Sequence, residues 1–252
     1  VSDPAVLFCV PVIAHAMAGD WSVVEANLAR TLGSLLRQGD GRWRAVVCGQ
    51  DMPALPDDPR IEGLTIDRPL DGDDKWAKIT AIIARVPETA ALLFPLDADD
   101  LLHPDLVALM ATETADGWLL VDGYSVDTRS GALGRHGAPD EAHPKRAPFY
   151  RVCGSSGAVR MVPDNIKATR QMLVRHFEFP QTAAAHGQML RPVPFPGAAY
   201  LVAHGENQES RSGREADKLA YIRANPVPED EAREARRVFG LADAAPGASA
   251  PP

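Results

Sequence analysis

The chain has few cysteines, no excess of positive charge and no glycine motif of the kind that cradles phosphate. Cys9, Cys48 and Cys153 are widely spaced and form no Cys-x-x-Cys pair. That spacing signals neither a zinc site nor a disulfide framework, and it points to a reducing, cytoplasmic setting. A net charge of −8 lacks the basic footprint of a general nucleic-acid binder. No Gly-x-Gly-x-x-Gly follows the first apolar segment and no Gly-x-x-x-x-Gly-Lys occurs, so a bound phosphate would have to be held by side chains and a metal. No apolar run is long enough to span a bilayer, which leaves only peripheral membrane contact. Residues 5–18 are mostly apolar and contain Ala14-His15-Ala16, which mimics a signal-peptidase site. But no positive charge precedes them and Pro11 interrupts the run, so a first core strand over Val6 to Ile13 is expected.

With 252 residues, 45% of them apolar, the chain can bury a sizeable core. Strand-like and helix-like segments alternate in its first half. Val6 to Val10, Trp43 to Cys48 and Leu64 to Ile66 read as strands. Val24, Leu28, Leu32 and Leu35 give Trp21 to Gln38 a helical period. Asp73 or Asp74 caps a second helix that runs to Ala84 and turns Ile79, Ile82 and Ile83 to a core. A third helix is expected from Pro104 to about Thr112. This alternation predicts an α/β fold with a mainly parallel central sheet covered on both faces. Further on, Trp118 to Val121, Tyr124 to Val126 and Ala198 to Ala203 read as strands. Asn165 to His176, Arg214 to Ala224 and Glu229 to Phe239 read as helices. The polar stretch from Asp127 to Arg151 reads as a long loop. A single domain over residues 1–240 is expected, with a break near 115 between two halves, and a disordered tail over 241–252.

The most telling segment is Leu92-Leu93-Phe94-Pro95-Leu96-Asp97-Ala98-Asp99-Asp100, an apolar run that ends in three carboxylates. Ligand sites of open α/β sheets lie at the carboxyl ends of such strands. Clustered acids repel unless water or a cation screens them, and Mg²⁺ takes one or two carboxylates together with substrate phosphates. Asp97 and Asp99 are therefore the expected metal and phosphate site, and Asp100 the cap of the following helix. The run fails as an EF-hand, since Leu102 and Ala108 stand where Gly and Glu are required.

The pattern resembles the GT-A-fold glycosyltransferases, closest to the family-2 type and to bacterial rhamnosyl or polysaccharide transferases. The resemblance runs from about Val6 to Met110, through Val10-Pro11-Val12, the helix Asn27 to Gln38 and Leu96-Asp97-Ala98-Asp99-Asp100 with Pro104. A second patch covers Tyr200 to Ser210 with His204-Gly205-Glu206-Asn207. It implies a Rossmann-like three-layer fold, with the donor half over about 1–115 and the acceptor half over about 116–240. The implied enzyme moves a hexosyl or deoxyhexosyl unit from a nucleoside-diphosphate-sugar to a hydroxyl of a glycan or lipid-linked acceptor, with Mn²⁺ or Mg²⁺ as cofactor. By the same resemblance Asp97 lies near the ribose, Asp99 binds the metal with Asp97 beside it, and His204 completes the metal shell. Pro11, Asp51, Lys75 and Lys78 belong to the donor side, where Lys78 would offset diphosphate charge unless it lies on a solvated helix face. Trp76 between the two lysines reads as packing. For the base that deprotonates the acceptor, Asp164, Glu178 and His186 are candidates, each with a structural alternative as a helix end or cap. Two other functions fit the acids. One is a haloacid-dehalogenase-like phosphohydrolase with Asp97 as nucleophile and Asp99 as acid/base. The other is a non-catalytic nucleotide-sugar or glycan binder.

Overall fold

Val6–Pro11 (β1) pairs in parallel with Trp43–Gly49 (β2) on one side and with Leu92–Pro95 (β4) on the other; Ile61–Thr65 (β3) extends the sheet beyond β2. The computed structural model describes residues 4–67, 74–85, 92–162, 165–173, 175–207 and 212–241. Three more strands complete this sheet: Gly117–Leu119 (β6), Gly157–Arg160 (β9) and Leu190–Pro192 (β10). The order is β10-β6-β9-β4-β1-β2-β3, parallel throughout except that β9 runs against β4 and β6.

Alternation along β1 sends its side chains to two cores. Val6, Phe8 and Val10 pack with Leu28, Leu32 and Leu35 of Trp21–Leu36 (α1) and with Leu106 and Met110 of Leu106–Thr112 (α3). Leu7 and Cys9 pack on the opposite face with Ile79, Ile82 and Ile83 of Lys75–Arg85 (α2), and with Met172 and Phe179 from Ile166–Leu173 (α4) and Phe179–Ala185 (α5). The result is the expected three-layer α/β/α arrangement around a mainly parallel sheet.

A second sheet has the order β5-β11-β7-β8, formed by Asp100–Leu102 (β5), Ala198–Val202 (β11), Gly123–Asp127 (β7) and Leu133–His136 (β8). Its apolar face, with Leu101, Tyr124, Leu133 and Leu201, packs on Phe239 of Glu229–Phe239 (α7). Glu215–Ala224 (α6) buries Ile222 close enough to β8 that a Cβ at Gly134 would meet its backbone.

Three expectations change. Asp100 does not cap α3: it opens β5, which pairs with β11, and Asp105 holds the N-cap position without a side-chain cap bond. The stretch expected as a loop after Asp127 contains β8, because its Leu133 completes the apolar face of the second sheet. The helix expected to reach His176 stops at Leu173, and His176–Glu178 forms a separate 3-10 turn leading into α5. Asp73, Asp164, Ser210 and residues 242–252 lie outside the described residues. Among the described residues no helix is long and apolar enough to cross a membrane.

Candidate functional site

β1 and β4 end side by side at Pro11 and Pro95, and the Leu96 N–H still bonds the Cys9 carbonyl at 2.9 Å. The chain then leaves the sheet with Asp97 and Asp99 directed into a cavity of about 450 Å³. Pro11, Lys75, Lys78, Asp97, Asp99 and His204, all singled out in the sequence, line it. Asp51 does not line it: its carboxylate accepts a 2.8 Å bond from the His15 N–H and so fixes the turn after β1 that does. Glu178 pairs with Arg175, His186 is the exposed C-cap residue of α5, and neither borders the cavity.

Lys75 Nζ stands 2.5 Å from Asp97 Oδ1, and the Asp97 N–H is held by Ser155 Oγ at 2.8 Å. Burial works against charge on Lys75, but Asp97, with Asp100 further off, outweighs it and raises the ammonium pKa above the usual lysine value. Gly154 packs against this pair; a Cβ there would stand 2.8 Å from Asp97 Oδ2 and 3.0 Å from Lys75 Nζ.

Lys78 is not on a solvated face. Its side chain is 1% exposed on the inner face of α2, and its Nζ lies 2.7 Å from Asp74 Oδ1. Gln50 Nε2 reaches the other Asp74 oxygen at 2.5 Å. Trp76 packs with the α2 core, as the sequence suggested.

His204 enters from the far side, on the turn that ends β11. There Ala203 has φ 66° and Gly205 has φ 90°. A positive φ is unfavourable for alanine, so the turn that presents His204 is held under backbone strain. His204 Nε2 lies 3.0 Å from Asp99 Oδ2, while its Nδ1 is approached by Asn27 Nδ2 at 3.0 Å and the Glu206 N–H at 3.3 Å. Arg30 donates to Asn27 Oδ1 at 2.9 Å and so sets the direction of that amide. Nδ1 is therefore the acceptor and Nε2–H donates to Asp99. Glu206 anchors the same turn by accepting the Gly19 and Asp20 N–H groups at 3.1 and 2.7 Å, ahead of α1.

Beneath the site Asp100 is fully buried and accepts a 3.1 Å bond from Cys153 Sγ. Burial, then the Asp99 and Asp97 carboxylates, push its pKa well above the carboxylate range. Burial likewise raises the Cys153 thiol, with Asp100 and Asp97 adding to it. Cys153 is thus a protonated packing group, not a nucleophile.

Asp99 and His204 are spaced as neighbouring ligands of a divalent ion. Adjacent ligands of an octahedral ion at ~2.1 Å stand about 3.0 Å apart, and the Asp99–His204 separation is 3.0 Å. The Asp99 carboxylate and the His204 imidazole facing it across the cavity, with space beside them for phosphate oxygens and water, fit Mn²⁺ or Mg²⁺ when the ring proton moves off Nε2. Among the described residues no group of three or more His, Cys, Asp and Glu side chains is arranged around one ion, and Asp97 is engaged by Lys75.

The sequence missed His176 and Asn27, which also line the cavity, and the buried place of Asp100 beneath it. No local pattern marks His176. It reaches the site because the 3-10 turn packs against Tyr150, whose carbonyl lies 2.6 Å from His176 Nδ1.

The fold and site are those of an α/β protein with an acidic, lysine-lined cavity at the carboxyl ends of parallel strands. No protein-family model matches the chain, and no match is found among curated proteins. Among solved structures, the apo form of the glycosyltransferase GlyE of Streptococcus pneumoniae TIGR4 is similar, with a TM-score of 0.40 and 13% identity; the match covers 98% of this chain and 66% of that one. The chain thus spans 66% of the length of that protein. At that TM-score the likeness carries no argument, so function rests on the geometry of the site.

Proposed function

We propose that the chain is a glycosyltransferase of the GT-A type. It binds a nucleoside-diphosphate-sugar and a divalent cation in the cavity and transfers a hexosyl or deoxyhexosyl unit to a hydroxyl of a glycan or lipid-linked acceptor, as in bacterial polysaccharide synthesis. One observation carries this proposal: two lysines and two acids meet at the carboxyl end of β4, with an imidazole opposite Asp99. Two ammonium groups match a diphosphate, and an acid with an imidazole matches the ion that accompanies it.

In this reading Asp99 and His204 hold the metal, Asp97 orients Lys75 and the ribose, and Lys78 adds charge from the cavity wall. When bound, the cation supplies Lewis-acid neutralisation of the leaving diphosphate. Lys75 and Lys78 stabilise the same developing charge from fixed positions in a partly desolvated site. The turn after β1, fixed by Asp51, borders the donor. The half up to about residue 115 receives the donor and the remainder the acceptor. Three unpaired, buried cysteines accord with a cytoplasmic setting.

The phosphohydrolase alternative expects a lysine later in the chain than its acids. The lysines that line the cavity, Lys75 and Lys78, both precede them, and His204 faces Asp99. The test is binding of UDP, GDP and dTDP with and without Mn²⁺. Metal-dependent binding of one nucleotide supports the proposal, and release of phosphate from simple phosphoesters would refute it.

A further inference from the structure

Each carboxylate described on the cavity wall already has a partner: Asp74 has Lys78 and Gln50, Asp97 has Lys75, Asp99 has His204, and Glu206 has the Gly19 and Asp20 N–H groups. His176 lines the same cavity and offers a base that no ion pair among the described residues engages. Its Nδ1 lies 2.6 Å from the Tyr150 carbonyl oxygen, and a carbonyl can only accept, so Nδ1 carries the proton. The neutral ring then keeps its lone pair at Nε2. Among the described residues Nε2 has no hydrogen-bond partner, and the ring is half-buried on the cavity wall.

We propose that His176 is the general base of the transfer reaction, accepting the proton of the acceptor hydroxyl at Nε2 while the Tyr150 carbonyl holds the ring through Nδ1–H. This rests on the donor reading above. The acceptor O–H bond breaks and its proton moves to Nε2. The freed oxygen pair forms the bond to the anomeric carbon, and the bond from that carbon to the diphosphate oxygen breaks, its electrons leaving with the diphosphate. The imidazolium then returns its proton to water.

The surroundings suit this task. Burial lowers the pKa of His176; the Tyr150 carbonyl raises it, Lys75 lowers it, Asp97 raises it and Lys218 lowers it, for a net value below that of ordinary histidine. Nε2 is therefore unprotonated at neutral pH.

The test compares wild type with His176→Asn, whose amide N–H can keep the bond to Tyr150 but offers no base. A panel of UDP-, GDP- and dTDP-sugars with Mn²⁺ is followed by nucleoside-diphosphate release with water as acceptor, and Kd for the free diphosphates is measured alongside. Release is expected to fall about 100-fold or more with Kd unchanged, and the acidic limb of the wild-type pH profile is expected to vanish. Binding with undiminished release would overturn the base assignment alone, whereas failure of the wild type to bind any of the diphosphates would overturn the donor reading first. Histidine ¹⁵N NMR gives a readout independent of turnover: an Nδ1–H tautomer at residue 176 supports the assignment, and an Nε2–H tautomer contradicts it.

Discussion

His204 Nε2 and Asp99 Oδ2 lie 3.0 Å apart although 105 residues separate them in the chain. Asp99 lies on the link from β4 of the large sheet to β5 of the second, and His204 follows β11, so the contact forms where the chain passes between the two sheets. Asn27 of α1 faces the other ring nitrogen and ties the first helix into the same arrangement.

In the proposed metal site, that tie would make the affinity for the cation tunable. Metal-bound imidazole prefers to give its second N–H to an acceptor, and here Asn27 presents a donor. Asn27→Asp supplies the acceptor and is expected to tighten Mn²⁺ binding in the presence of nucleoside diphosphate by about tenfold. Titration calorimetry measures it; equal or weaker binding would remove His204 from the metal shell.

Gly154 is the contact point for the Lys75–Asp97 pair. Gly154→Ala places a Cβ against the ends of two flexible side chains, so the fold should survive while the pair shifts. A loss of about tenfold in nucleoside-diphosphate affinity, about 1.4 kcal/mol, is expected, with little change in the midpoint of denaturation. An unchanged affinity would mean that the pair does not face the ligand.

Lys78 and Asp74 form a buried pair. Lys78→Met removes the ammonium partner of Asp74 and is expected to cost about 3 kcal/mol in urea denaturation. Adding Asp74→Asn should recover part of that loss, since the two residues act as one unit. Additive losses in the double variant would contradict the pairing.

His136 makes the second sheet acid-sensitive. It is 1% exposed, bonded to Ser125 Oγ at 2.7 Å and stacked on Tyr221. Burial is the main cause that lowers its pKa to about 3. A histidine depressed in the folded state binds its proton more readily when unfolded. Its contribution is therefore complete above the unfolded pKa of about 6.5 and is lost as pH falls from there towards 3. Between pH 7 and pH 5 about 2 kcal/mol should be lost, and His136→Gln should flatten that slope. An identical slope in the variant would place the acid sensitivity elsewhere.

What the sequence disclosed follows from how local each signal is. The period of α1, the apolar runs of β1 and β4 and the acids after Pro95 are patterns within one element, and all were legible. Asp100 was misread because its neighbours look like a helix start, whereas its backbone pairs with Tyr200, a partner 100 residues on. Leu133 in β8 lies in a polar stretch with glycine and proline and no strand-like alternation, and the face of β7 beside it explains its burial. Lys78 could not be told from a surface lysine, since α2 buries it through a contact with Asp74 one turn earlier. His176 carries no pattern, and its ring is held at the site by the Tyr150 carbonyl.

In the proposed function Asp99 and its neighbours form a metal-assisted diphosphate site. The most direct test is the thermal midpoint of wild type and Asp99→Asn with UDP, GDP and dTDP, each with and without Mn²⁺. At a ligand concentration about 100 times Kd, one nucleotide with Mn²⁺ should raise the wild-type midpoint by about 5 °C or more, and Asp99→Asn should fold normally and show no such rise. An equal rise in both proteins, or a rise that does not depend on Mn²⁺, would contradict it.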